Sequence, residues 1–91
     1  MKSMSKNKQL KEKNHFVYIV ECSDGTFYTG YTKDLRRRLK EHNKGEGAKY
    51  TRGRYPVKLR YQESFISRSQ AQKKEYKIKQ LPREKKEELF A

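Results

Sequence analysis

Residues 16–42, FVYIVECSDGTFYTGYTKDLRRRLKEH, leave this chain few ways to fold. Two short runs rich in β-formers, His15 to Glu21 and Phe27 to Thr32, flank the turn signal Ser23-Asp24-Gly25. Loop length then decides which side chains share a face, because strand side chains alternate. A two-residue loop at Asp24-Gly25 would put Tyr18 and Tyr28 on opposite faces. A three-residue loop, Ser23 to Gly25 with Gly25 in the left-handed region and a bulge, puts both on one face. Glycine suits that last position, so the three-residue loop is expected.

A helix follows at once. Thr32 or Asp34 can cap it, and an acid near its start suits the helix dipole. With Leu35 as origin and about 100° per residue, Leu39 and His42 fall within about 40° of it and Arg38 about 60° away. Arg36 and Arg37 point elsewhere. Of three consecutive arginines, Arg38 alone leans towards the packed face, one turn before His42.

Whether such a chain folds at all is a fair question, since Leu, Ile, Val and Phe make up less than a fifth of it and the formal charge is +13. Those features favour disorder. Seven tyrosines oppose it, because tyrosine buries a large ring and keeps a polar tip. A single small domain with a tyrosine-rich core is expected over residues 15–91. Before it, residues 1–14 carry five lysines and no usable period, and read as a flexible basic arm. A pI near 10.0 points to a polyanionic partner, most simply nucleic acid. No stretch is long and apolar enough to span a bilayer or to form a signal-peptide core. The single Cys22 cannot form an internal disulfide, which fits the reducing cytoplasm.

Residues 43–56, NKGEGAKYTRGRYP, read as a flexible loop in which Lys44, Lys49, Arg52 and Arg54 alternate with Tyr50 and Tyr55. Basic and aromatic groups so mixed suit backbone and base contacts, and equally suit a solvated connector. Val57 to Phe65 begins with strand alternation, with Val57, Leu59 and Tyr61 on one face. Ser67 with Gln70 forms a capping box for a helix that runs to about Leu81, where Pro82 stops it and opens a short last helix, Arg83 to Phe90.

The helix after Ser67 carries one acid. Glu75 lies centrally on its apolar stripe with Ala71 and Ile78, among many lysines. A carboxylate buried alone is costly, so it must meet a cation: Arg38, a lysine or a metal. An exposed pair with Lys79, four residues on, is the plain alternative. There is no His/Cys cluster with zinc spacing and no phosphate-cradling glycine motif. Cys22 reads as a packed or edge residue.

FVY at 16–18, YTG at 28–30, the segment YTKDLRRRLKEHN and the glutamate of the last long helix together resemble a GIY-YIG nuclease domain, over residues 15 to about 81. The likeness is to small stand-alone bacterial proteins of this family. GAKYTRGRYPVKLRY is also similar to the catalytic subunit of structure-selective junction resolvases. Phe16-Val17 stands where the family has Gly-Ile, Thr29 replaces the second isoleucine, and no asparagine follows Glu75. The resemblance implies an α+β fold, a small three-stranded antiparallel sheet flanked by helices in the order β-β-α-β-α with a short C-terminal helix. It assigns catalysis to Tyr18, Tyr28, Arg38, His42 and Glu75, and metal binding to Glu75.

On that resemblance the expected activity is a Mg²⁺-dependent (or Mn²⁺-dependent) DNA endonuclease, selective for structure rather than sequence and of use in DNA repair. Its substrate would be branched or single-stranded DNA, with a protein partner to supply specificity. Glu75 would hold the ion, Arg38 would clamp the phosphate, and Tyr18 would take a proton from the attacking water, its own pKa lowered by surrounding cations. Lys44, Lys49, Tyr50, Arg52 and Arg54 would bind nucleic acid. A second reading stays open: a non-catalytic nucleic-acid or ribosome-associated binding module on the same fold.

Overall fold

The computed structural model describes residues 12–90. Strands β1 (His15–Glu21), β2 (Phe27–Thr32) and β3 (Lys58–Phe65) form one antiparallel sheet in the order β2-β1-β3. Helices α1 (Leu35–Asn43), α2 (Arg68–Lys79) and α3 (Arg83–Leu89) complete the order β-β-α-β-α-α. This is the expected α+β architecture. Of the basic arm expected over residues 1–14, the first eleven lie outside the described residues. Glu12 to Asn14 belong to no helix or strand.

β1 takes the centre because its run Val17-Tyr18-Ile19-Val20 is apolar on both faces, and all four are fully buried. The backbone amide of Cys22 donates to Thr26 O at 2.8 Å, leaving the three-residue loop Ser23–Gly25 with Gly25 at φ 85°. The Asp24 carboxylate accepts from the amide and the hydroxyl of Thr26 and so braces the loop. In the resulting register Tyr18 pairs with Gly30 and Val20 with Tyr28. Tyr18 and Tyr28 therefore share a face, as the loop length required.

Each face of the sheet has its own core. On one, Tyr18, Val20, Cys22 and Val57 pack with Leu35 and Leu39 of α1. On the other, Val17 and Ile19 pack against Ala71 and Ile78 of α2, with Leu89 and Phe90 closing one end. The alternation read over Val57 to Tyr61 fails here. Ile19 pairs with Tyr61 but Val20 pairs with Leu59, so Arg60 is an extra residue in β3. This bulge sends Leu59 to the α1 core and Tyr61 to the α2 core. One more residue in a strand inverts the facing of everything beyond it.

The helices start where the sequence indicates. Asp34 Oδ1 accepts from the amide of Arg37 and Ser67 Oγ from that of Gln70, each at 3.1 Å. α2 ends at Lys79, short of Leu81, and Pro82 caps α3.

The segment between α1 and β3 differs from the flexible loop expected. It contains a 3₁₀ turn, Lys49–Thr51, and is tied down along its length. Asn43 Oδ1 accepts from the amide of Val57 at 2.6 Å, fastening the end of α1 to the start of β3. Arg54 O accepts from the Ser23 amide at 2.8 Å, and the Arg54 side chain reaches Asp24 Oδ2 at 2.9 Å, fastening the segment to the hairpin.

Candidate active site

Tyr18 projects from the middle of β1 over Gly30 of the edge strand. Its hydroxyl lies 2.8 Å from His42 Nε2 at the end of α1, and neither residue has any solvent exposure. The other ring nitrogen, Nδ1, lies 2.7 Å from Thr51 Oγ1, and that hydroxyl in turn is 3.0 Å from Ala48 O. Tyr28 completes the cluster. Its ring meets those of Tyr18 and His42 at 6.4 and 5.6 Å between centroids, and stacks on Tyr50 at 6.0 Å. These residues meet because the hairpin register puts both tyrosines on the face that α1 covers, and the α1 wheel brings His42 down onto it.

Arg38 lies one turn before His42 and is partly buried, as the wheel required. Its guanidinium donates to Glu41 Oε1 at 2.9 Å. Burial pushes the Tyr18 hydroxyl up to about 12; Arg38 beside it acts in the opposite direction and is outweighed, while the fields of Tyr28 and Glu75 add to the rise. This corrects the expectation that surrounding cations lower the Tyr18 pKa. The cations are there, but depth in the core dominates. Burial also lowers the pKa of His42, helped by Arg38 and opposed by Glu41. The imidazole is therefore neutral at neutral pH.

Glu75 makes no hydrogen bond to this cluster; its ion pair is with Lys79. It projects from α2, whose apolar side packs on the opposite face of the sheet, and it senses Tyr18 through its field. Its carboxylate is mostly covered, 18% exposed, and pairs with Lys79 Nζ at 3.0 Å. The partner is thus the lysine four residues on, while Arg38 pairs with Glu41. A cleft of about 250 Å³ straddles the edge of β2 between the two sides, lined by Tyr28, Thr29 and Tyr50 and by Lys79 and Lys86. Thr29 Oγ1 is the one buried side-chain polar atom without a hydrogen-bond partner among the described residues. A larger cavity, about 940 Å³, runs between α1 and the sheet past Leu35, Leu39 and Leu59, and contains none of these groups.

The basic segment divides. Lys44, Lys49 and Arg52 are exposed and make no ion pair among the described residues. Arg54 is engaged within the fold: besides Asp24 it donates to Tyr50 O at 2.6 Å and lies over the Tyr50 ring at 4.1 Å. Tyr50, 38% exposed, sits between that guanidinium and Tyr28. Thr51 had no signal in the sequence, since nothing local marks a threonine in a polar loop as the partner of a histidine nine residues earlier. Cys22 is buried, which raises its thiol pKa, and packs as expected.

Among the described residues no three His, Cys, Asp or Glu side chains group as a metal cage. A lone, mostly covered carboxylate whose only ion-pair partner among the described residues is a lysine fits a hard cation that keeps most of its waters, as Mg²⁺ does. It does not fit a caged transition metal. No described helix is long and apolar enough to cross a membrane.

The family model of the GIY-YIG catalytic domain matches residues 14–88. A UPF0213 protein of Halobacterium salinarum is 66% identical over 76 residues, covering 84% of this chain and 99% of that protein. One of Staphylococcus aureus is 57% identical over 77 residues, covering 85% of this chain and 94% of its own. Two solution NMR structures are similar. A UPF0213 protein from Bacillus halodurans has 55% identity and a TM-score of 0.54, covering 82% of this chain and 80% of its own. A protein from E. faecalis has 48% identity and a TM-score of 0.59, covering 86% and 83%.

Proposed function

This chain belongs to the GIY-YIG catalytic domain family, and from that premise we propose that it is a Mg²⁺- or Mn²⁺-dependent endonuclease acting on branched or single-stranded DNA. The observation that carries the reading is the contact between the Tyr18 hydroxyl and His42 Nε2 at 2.8 Å, wholly buried and beside Arg38. A neutral imidazole on a phenol beside a guanidinium is an arrangement suited to moving a proton next to a phosphate.

Glu75 would hold the ion, with water and a substrate phosphate oxygen supplying the other oxygens. The ion, when bound, neutralises charge on the phosphate. This chain's own groups do the rest. Tyr18 is protonated at neutral pH and has no exposure, so it would take a proton from the attacking water only where bound substrate opens a path to its hydroxyl, and only as it passes its own to His42 Nε2. The water oxygen bonds to phosphorus, the ester oxygen departs, and that oxygen takes a proton from solvent. Arg38 retains donors beyond the Glu41 contact and meets the negative charge that builds on the non-bridging oxygens. Tyr28 holds the imidazole edge-on.

Residues 15–91 would constitute the nuclease domain, with the basic residues 1–14 adding phosphate contacts. The exposed Lys44, Lys49 and Arg52 bind backbone without reading bases. Choice among branched substrates then falls to duplex shape and to a protein partner, in the cytoplasm. The experiment is nicking of branched, flapped and linear DNA by the purified protein with and without Mg²⁺. Metal-dependent nicks that favour the branched substrates are expected. Binding of all three without any cut under Mg²⁺ or Mn²⁺ would leave the fold serving as a nucleic-acid-binding module.

A further inference from the structure

The segment GAKYTRGRYP reads from its composition as a nucleic-acid contact or a solvated connector, yet one of its hydroxyls faces inward. Thr51 is fully buried, and its hydroxyl lies between His42 Nδ1 at 2.7 Å and Ala48 O at 3.0 Å. We propose that Thr51 is a positioning residue that fixes His42 in its Nδ1–H form, so that the bare Nε2 faces the Tyr18 hydroxyl. This rests on the reading of Tyr18 and His42 as the proton-transfer pair.

The direction follows from the far end of the chain of bonds. A carbonyl oxygen can only accept, so Ala48 O takes the single hydrogen of Thr51 Oγ1. The threonine oxygen then has only lone pairs to offer, and His42 Nδ1 must supply the hydrogen between them. A neutral imidazole with hydrogen on Nδ1 has none on Nε2. Tyr18 therefore donates to Nε2, which is the direction general-base action requires. The opposite tautomer would place N–H of His42 against Tyr18 and leave Nδ1 facing an oxygen already turned away. No water can substitute, since His42 and Thr51 have no exposure. Gly47 lies so close against the imidazole that a side chain there would strike it, so the segment forms a closed seat for the ring. A neutral histidine side chain in water favours hydrogen on Nε2, so the seat must impose this one.

The test is ¹⁵N NMR of the histidine rings in wild type, Thr51→Val and Thr51→Ser, with His15→Gln to assign the second ring. Wild type should show a protonated Nδ1 and a pyridine-like Nε2 on His42. Thr51→Val keeps the shape but cannot accept a hydrogen bond. It should shift the ring towards the Nε2–H form and lower kcat for nicking about 10- to 100-fold with DNA affinity unchanged. Thr51→Ser should restore both. A wild-type His42 protonated on Nε2 would overturn the proposal, and that single spectrum decides it even if Thr51→Val fails to fold. So would a Thr51→Val protein that keeps Nδ1–H and full kcat. If the spectra behave as expected and no form cuts DNA, the tautomer control stands and the nuclease reading alone falls.

Discussion

Tyr18 lies across Gly30, its partner on the edge strand, so closely that a methyl group at residue 30 would come within 2.5 Å of the phenolic oxygen. The absence of a side chain at Gly30 is what lets the hydroxyl reach His42. Tyr18 has no exposure and cannot swing outward to make room. Gly30→Ala should therefore cost about 1–3 kcal/mol by overpacking, a fall in Tm of roughly 4–8 °C for each kcal/mol in a domain of this size. It should also push the phenol off the imidazole. Thermal melts and the Tyr18–His42 contact in the ¹⁵N spectrum would report both. A Gly30→Ala protein that melts with wild type would show that the strand absorbs the methyl by shifting.

The same pair bears on what could be read in advance. That Tyr18 and Tyr28 share a face followed from Ser23-Asp24-Gly25, because a glycine able to take the left-handed conformation decides a three-residue loop. Asp34 and Ser67 marked their helices by local chemistry. The bulge at Arg60 carried no such mark. It satisfies two cores at once, giving Leu59 to one and Tyr61 to the other, and only the packed sheet sets that demand. The ties of the Lys44–Pro56 segment were equally hidden, since Arg54 and Asp24 are 30 residues apart. The error over the Tyr18 pKa has a single cause: the cations could be counted in the sequence, and the depth of the phenol could not.

Glu75→Gln separates a ligand from a strut. The Lys79 pair spans one turn with the lysine well exposed, so its loss should cost no more than about 1 kcal/mol. A glutamine amide also suits the mostly covered position. Melting temperature should then change little, while Mg²⁺-dependent nicking falls about 100-fold or more, in line with loss of a preorganised electrostatic contact. DNA binding should persist. Undiminished nicking that still needs Mg²⁺ would remove Glu75 from the metal's coordination.

Acid should weaken the fold through His42. Burial depresses its folded pKa, so between that value and the ordinary value near 6.5 the unfolded chain binds a proton that the folded one refuses. Stability therefore rises with pH across the window. The contribution is complete above about 6.5 and is lost as pH falls through the folded pKa. Nicking should decline over the same range, because a protonated Nε2 cannot accept from Tyr18. Melts at pH 7.5, 6.5 and 5.5 should show a slope in wild type that flattens in His42→Gln. An equal slope in both would trace the acid sensitivity to other groups.

Arg52 and Arg54 lie two residues apart in one basic segment, and the fold gives them different work. Arg52 is exposed and makes no ion pair among the described residues, so it is free for a phosphate. Arg52→Ala should weaken binding of all DNA sequences alike and reduce the slope of log K against log salt by about 0.9, the loss of one phosphate contact. Its melting curve should match wild type. Arg54 holds Asp24, Tyr50 O and the Tyr50 ring, joining the segment to the hairpin and backing the stack on Tyr28. Arg54→Ala should lower stability by roughly 1 kcal/mol and leave the salt slope near wild type. Kd measured at several salt concentrations, beside melts of both variants, distinguishes the two. If Arg54→Ala reduced the slope by a full phosphate and left Tm unchanged, the Asp24 contact would be a resting position from which Arg54 moves to the DNA.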